Sequence, residues 1–213
     1  MSYIESYNYW LNSGKLTHEE IIELESIKNN DKEIRERFSC GLSFGTAGLR
    51  GIMKTGMNAM NVHTVSLATQ GLANYINKVG RGDEGVVIGY DSRNNSELFS
   101  KTAASVLAAN GIKVFIFDGL RPTPEVSFAL RYLGCVSAVN VTASHNPKEY
   151  NGYKVYWDDG AQISLEIAAD ISDSISKTDI FEDVRLTDFD QAVKSGMIKI
   201  LDSEIDEKYL DAV

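Results

Sequence analysis

Cys135-Val136-Ser137-Ala138-Val139-Asn140-Val141-Thr142-Ala143-Ser144-His145-Asn146-Pro147 is the stretch on which the fold turns. Its first seven residues are small or β-branched and read as a buried strand. The strand cannot become a helix after Ser144. Pro147 fixes its own φ and pushes Asn146 into an extended conformation. A serine on a stiff loop beyond a central strand has its hydroxyl held at the rim of a sheet, so the question is whether that hydroxyl does chemistry.

Outward from this stretch, helices and strands alternate. Upstream, Gly85-Val86-Val87-Ile88-Gly89-Tyr90 and Lys113-Val114-Phe115-Ile116-Phe117 read as strands. A helix between them runs from about Ser96 to Ala109 and stops at Asn110-Gly111. Thr123-Pro124-Glu125 offers a cap, a proline and an acid to a short helix ending near Leu133-Gly134. Asn61 caps an earlier helix that reaches about Val79. Downstream, Gly152-Tyr153-Lys154-Val155-Tyr156-Trp157 alternates as a further strand, and a helix starts near Ser164 with Ile167, Ile171 and Ile175 on one face. This order predicts an α/β fold: a layered α/β/α domain with a mixed, largely parallel sheet and right-handed crossovers. Ligands of such sheets gather at the carboxyl ends of the strands. Asp91-Ser92-Arg93 and Ser144-His145 both fall there.

The flanks differ from this middle. Residues 1–40 read as an N-terminal helical arm, with a capping box at Thr17-His18-Glu19-Glu20. Tyr7, Tyr9 and Trp10 read as its packing residues, and His18 and His63 as surface or capping residues. Residues 41–187 form the main domain. Residues 188–213 read as a linker and the truncated start of a second domain, with a strand at 197–201 and a helix from Ser203. The whole has 213 residues, 43% hydrophobic and 24% charged, with net charge −9. That is ordinary for a soluble globular protein. The acidic balance argues against nucleic acid and against an anionic membrane surface as partners. Neither a leader pattern nor an apolar run of ~20 residues is visible, so a cytoplasmic location is expected. Cys40 and Cys135 lack metal-ligand spacing, and nothing requires them to pair.

Serine needs help to be a nucleophile. The Gly-x-Ser-x-Gly elbow of serine hydrolases is absent. On a strand-like backbone the side chains of Ser144 and His145 point apart, which makes His145 an awkward base. Phosphoryl transfer fits better, because it needs an oxygen and cations to hold spread negative charge more than it needs a triad. Ser144, His145, Lys154 and Arg50 are the candidates. A tight hairpin after Ser144 would return Lys154 beside it; Lys154 also reads as an exposed strand lysine, and Arg50 as half of a surface ion pair. Asp91 and Arg93 read as a pair shaping the edge of the site. Phe44-Gly45-Thr46-Ala47-Gly48-Leu49-Arg50-Gly51 reads either as a strand with a bulge and turn or as backbone approaching a ligand.

Four segments together resemble the N-terminal part of the α-D-phosphohexomutases, the phosphoglucomutase/phosphomannomutase family. They are Phe44 to Gly51, Gly89 to Arg93, Thr123 to Glu125, and Thr142 to Pro147 running on into Asn151-Gly152-Tyr153-Lys154. The Thr-Ala-Ser form and the helical arm are similar to the phosphoglucomutase and phosphopentomutase-like branch. The resemblance implies that Ser144 becomes the phosphoserine that gives a phosphoryl group to a sugar phosphate and takes another back through a bisphosphate. It implies that His145 and Lys154 assist proton movement, and that Thr46 and Arg50 line the same site. A phosphorylated hexose or pentose would be the substrate, Mg2+ a cofactor bound through the phosphate on Ser144, and glucose 1,6-bisphosphate an activator. The family's Asp-Gly-Asp-x-Asp-Arg metal loop and Gly-Glu-Glu-x-Gly sugar motif do not occur here. The resemblance therefore implies a first domain whose partners are the remaining domains of a parent enzyme, inactive alone. A non-catalytic phosphosugar-binding or interaction module is the alternative. A metal-dependent hydrolase lacks an acidic ligand cluster.

Overall fold

The computed structural model describes residues 1–213. Three helices open the chain: α1 (Tyr3–Leu11), α2 (His18–Ser26) and α3 (Asp31–Phe38). Ser2 and Thr17 start the first two with complete capping boxes. Then follow β1 (Leu49–Ile52), α4 (Val62–Lys78), β2 (Val86–Tyr90), α5 (Ser96–Ala109), β3 (Val114–Phe117), α6 (Thr123–Tyr132), β4 (Ser137–Val141) and β5 (Tyr150–Trp157). The chain continues through α7 (Leu165–Ser176), α8 (Phe189–Lys194), β6 (Ile198–Leu201) and α9 (Ser203–Ala212). No helix is long and apolar enough to cross a membrane.

The six strands form one mixed sheet in the order β1-β5-β4-β2-β3-β6. β4, β2, β3 and β6 pair in parallel, and β5 runs antiparallel to both of its neighbours. From β2 the chain crosses by α5 to β3 on one side, then by α6 to β4 on the other. The order therefore reverses between β2 and β4, and a crevice opens at their carboxyl ends. That is where Asp91 and Thr142 lie.

Alternation along the strands decides the layers. Val86, Ile88, Val139, Val141, Tyr153 and Val155 face a core shared with α4, α5, α7 and α8. Val87, Phe117, Ala138 and Tyr156 face the other way, toward α6 and α9. A fully buried side chain such as Leu72 or Ile171 contributes about 2 kcal/mol by leaving water. α6 lies so close to the sheet that a Cβ on Gly89 would sit 2.3 Å from Val126. The α/β layering and the mixed, largely parallel sheet are those expected from the sequence.

Several local expectations need correction. The arm is three helices folded back on themselves, and a third core joins it to the domain through Phe181. His63 belongs to that joint, not to the surface: its Nε2 lies 3.1 Å from Glu20 Oε1, between the rings of Trp10 and Phe181. Beyond residue 188 the chain returns to the same sheet. β6 extends the sheet beside β3, since its apolar ends Ile198 and Leu201 are buried only there. α9 then docks on α6 through Arg121, whose guanidinium gives Asp206 bonds of 2.6 and 2.8 Å. Glu125, buried beside them, has Oε1 3.6 Å from Arg121 Nε. Burial first, then the neighbouring Asp206, push its carboxyl up to about 7. Arg121 holds Asp206 below the usual carboxylate range.

Candidate active site

The end of β4 is tied down before Ser144 is reached. Thr142 Oγ1 donates to Asp91 Oδ2 at 2.6 Å and accepts the Ser144 N–H at 2.9 Å. Asp91 Oδ1 in turn accepts from Ser96 Oγ at 3.0 Å and from the Arg93 N–H at 3.1 Å. The two strand ends at the reversal point are thus bolted together by side chains. Ser144 turns left-handed there, at φ 56°, and is exposed. Non-glycine residues adopt this region only when their surroundings impose it.

The turn changes the relation between Ser144 and His145. Because the backbone leaves the extended region, the side chains do not diverge, and Ser144 Oγ lies 3.3 Å from His145 Nδ1. The expectation that the two point apart is corrected by that one torsion.

Arg93 is the largest difference from the sequence reading. Its Nε does face Asp91, at 3.5 Å. Its NH2 donates to the carbonyls of Ser144 and Asn146, both at 2.7 Å. Its NH1 donates to the carbonyls of Pro147 and Tyr150 at 3.0 and 3.1 Å. All five N–H groups of the fork face the protein, and the side chain is 13% exposed.

Arg50 is exposed and reaches the loop from β1, donating to Asn146 Oδ1 at 2.9 Å. It pairs in register with Gly152, so it shares a sheet face with Lys154 two residues on. The hairpin is wider than expected: Lys154 lies opposite Asn140, not opposite Ser144. Its backbone is therefore one residue, about 3.4 Å, below the end of β4 at Val141, and Ser144 lies a further three residues along the chain. Neither Arg50 nor Lys154 has a carboxylate partner. Thr46 sits at the tip of a tight turn closed by the Gly48 N–H on the Gly45 carbonyl at 2.8 Å. A Cβ on Gly48, at φ 71°, would lie 1.8 Å from the Tyr153 carbonyl oxygen and 3.1 Å from Lys154 Cα. Only glycine lets the Thr46 turn lie against the Lys154 backbone.

Thr123 does not cap α6; Pro122 occupies that position. The Thr123 hydroxyl instead accepts from Asn140 Nδ2 at 2.8 Å, so the motif's threonine fastens the helix to β4. Sequence reading missed Thr142, Asn140 and Asn146. The one usable signal was Thr142, two residues before the serine, where a hydroxyl can bond a nearby backbone N–H.

The family model for the phosphoglucomutase/phosphomannomutase alpha/beta/alpha domain I matches residues 41–181. The chain belongs to this family. A phosphoglucomutase of Staphylococcus saprophyticus is 40% identical over 179 residues, covering 84% of this chain and 32% of that protein. A human phosphopentomutase is 39% identical over 167 residues, covering 72% of this chain and 27% of that protein. A solved structure from Thermus thermophilus, provisionally assigned as a phosphomannomutase, aligns with TM-score 0.65 at 27% identity, over 77% of this chain and 34% of that one. The chain spans about a third of the length of the curated relatives it matches. The fold class and the family expected from the serine loop are both the ones found.

No three His, Cys, Asp or Glu side chains come together as metal ligands. The carboxylate nearest the serine loop in this network, Asp91, is committed to Thr142, Ser96 and Arg93. These residues do not form a magnesium site by themselves.

Proposed function

We propose that this chain is the nucleophile-bearing domain of a phosphosugar mutase that interconverts glucose 1-phosphate and glucose 6-phosphate. Ser144 carries the phosphoryl group. In the forward step the bond from phosphorus to Ser144 Oγ breaks as one to a sugar hydroxyl oxygen forms. The hydroxyl proton leaves to a base. The bisphosphorylated sugar turns over and returns its other phosphoryl group to Oγ. His145 Nδ1, beside Oγ, is the nearest group able to hold a proton, and Arg50 and Lys154 bear on the charge of the moving phosphoryl group. Thr46 lines the substrate side.

The observation that carries this reading is the exposed, left-handed Ser144, with a ring nitrogen beside its hydroxyl and cations without carboxylate partners on the adjoining strands. Mg2+ would meet this chain only through the phosphate on Ser144. Its remaining ligands, and the sugar-recognition motif, would come from further domains, so residues 1–213 alone are expected to show no turnover. Glucose 1,6-bisphosphate would load the serine. A pentose or mannose phosphate is the second choice of substrate, supported by the phosphopentomutase and phosphomannomutase names among its relatives.

The test is intact-mass analysis of the complete gene product after incubation with glucose 1,6-bisphosphate and Mg2+. One phosphoryl group should be gained, mapped to Ser144, and lost in Ser144→Ala. A full-turnover enzyme with an unmodified Ser144 would sink the reading, as would phosphate on any other residue. Sugar choice is read by comparing turnover on glucose, mannose and ribose 1-phosphates.

A further inference from the structure

Arg93 looks from its position like a substrate ligand: an arginine at the carboxyl end of β2, beside the crevice. The geometry points to a different role. We propose that Arg93 is a positioning residue for Ser144, resting on the functional reading above, and that it binds no substrate.

Its donors are already placed. The fork takes carbonyls from Ser144 and Asn146 on the near side of the loop, and from Pro147 and Tyr150 where the loop rejoins β5. Four carbonyls separated along the chain are drawn to one planar cation. The peptide carbonyl of Ser144 is held from one side and its N–H from the other, by Thr142 Oγ1. With both peptide groups fixed, the left-handed φ of 56° is imposed, and with it the direction of Oγ. Asp91 sets both restraints: it accepts from Thr142 and lies against Arg93. A lysine has three donors on a point charge and cannot reproduce a planar fork that spans both ends of the loop. The same geometry removes the Ser144 and Asn146 carbonyls from any role as metal ligands on this side.

The test uses Arg93→Lys with two readouts. In residues 1–213, amide hydrogen exchange at Ser144 and Asn146 should quicken by about tenfold or more, while exchange in β2 and β4 stays unchanged. In the complete gene product, kcat should fall by about tenfold or more, since small misplacements of a nucleophile are costly, while KM stays within about twofold. Arg93→Met with added guanidinium should recover part of the lost kcat. A raised KM at unchanged kcat would show substrate binding and overturn the proposal. So would unchanged exchange at Ser144. If wild-type protein takes up no phosphoryl group at Ser144, the functional reading fails first and the proposal falls with it. If uptake is normal and Arg93→Lys matches wild type, only the proposal falls.

Discussion

Two arginines clamp two parts of this molecule, and they do it with different partners. Arg37 fastens the helical arm to the domain. It bonds Glu23, gives Glu33 Oε1 a bond of 2.9 Å and gives the Thr55 carbonyl one of 3.1 Å. Glu23 closes the ring by accepting from Thr55 Oγ1 at 2.6 Å, and Lys54 joins through Glu33 and Glu36. Two cations there meet three carboxylates. Arg93 fastens the serine loop to four neutral carbonyls, and the surrounding cations Arg50, Arg93 and Lys154 meet only Asp91. A joint that only has to hold is neutralised or made acidic. The joint beside the proposed path of a phosphoryl group is held by neutral acceptors and stays positive.

The largest effect that sharpens this contrast is chemical. Ser144→Ala should lower turnover of the complete gene product by about three orders of magnitude or more, in a coupled steady-state assay, with stability nearly unchanged. The converse comes from the arm. Arg37→Met leaves Glu23 and Glu33 facing each other and should cost about 3 kcal/mol in urea unfolding. Hydrogen exchange at Ser144 should stay as in wild type. If it quickens, the two clamps are one cooperative unit and the contrast fails.

Arg121 lies between the two cases, with Asp118, Asp206 and Glu125 around it. Glu125 is pushed up to about 7, so between the ordinary carboxylate range and pH 7 the folded state keeps a proton that the unfolded chain has lost. Its contribution to stability is present at low pH and declines as pH rises to about 7, then stays level. Glu125→Gln should remove that decline, leaving the variant about 3 kcal/mol better relative to wild type at pH 8 than at pH 4.5. Melting curves across that range decide it; a parallel offset at all pH values would refute the shift. The smallest effect is Arg93→Lys on global stability, about 1 kcal/mol or less, because the loop it holds carries no core.

The fold was legible because strands and helices here announce themselves separately. The run at Val86 is continuously apolar and the run at Val136 is broken only by Ser137 and Asn140, and both are buried throughout, as central strands covered on both faces must be. Caps at Thr17, Asn61 and Ser164 lie where helices begin. The place of β6 was not legible, because its pattern is that of any short strand and its partner β3 lies some eighty residues earlier. At the site, residue chemistry offered Ser144, His145, Arg50 and Lys154 as candidates. How they sit could not. The hidden quantity was a single torsion at Ser144, and torsions in loops follow from long-range bonds such as that of Arg93 to Tyr150.

That torsion has a consequence for how such a protein tolerates change. Glycine occupies the left-handed region freely, so Ser144→Gly would ease the backbone at the same position where it deletes the hydroxyl. A library sorted only for resistance to heat would tend to enrich the disarmed molecule. Under the function proposed above, sturdiness and reactivity pull on one residue in opposite directions, and serine is kept there by a demand from outside the folding free energy.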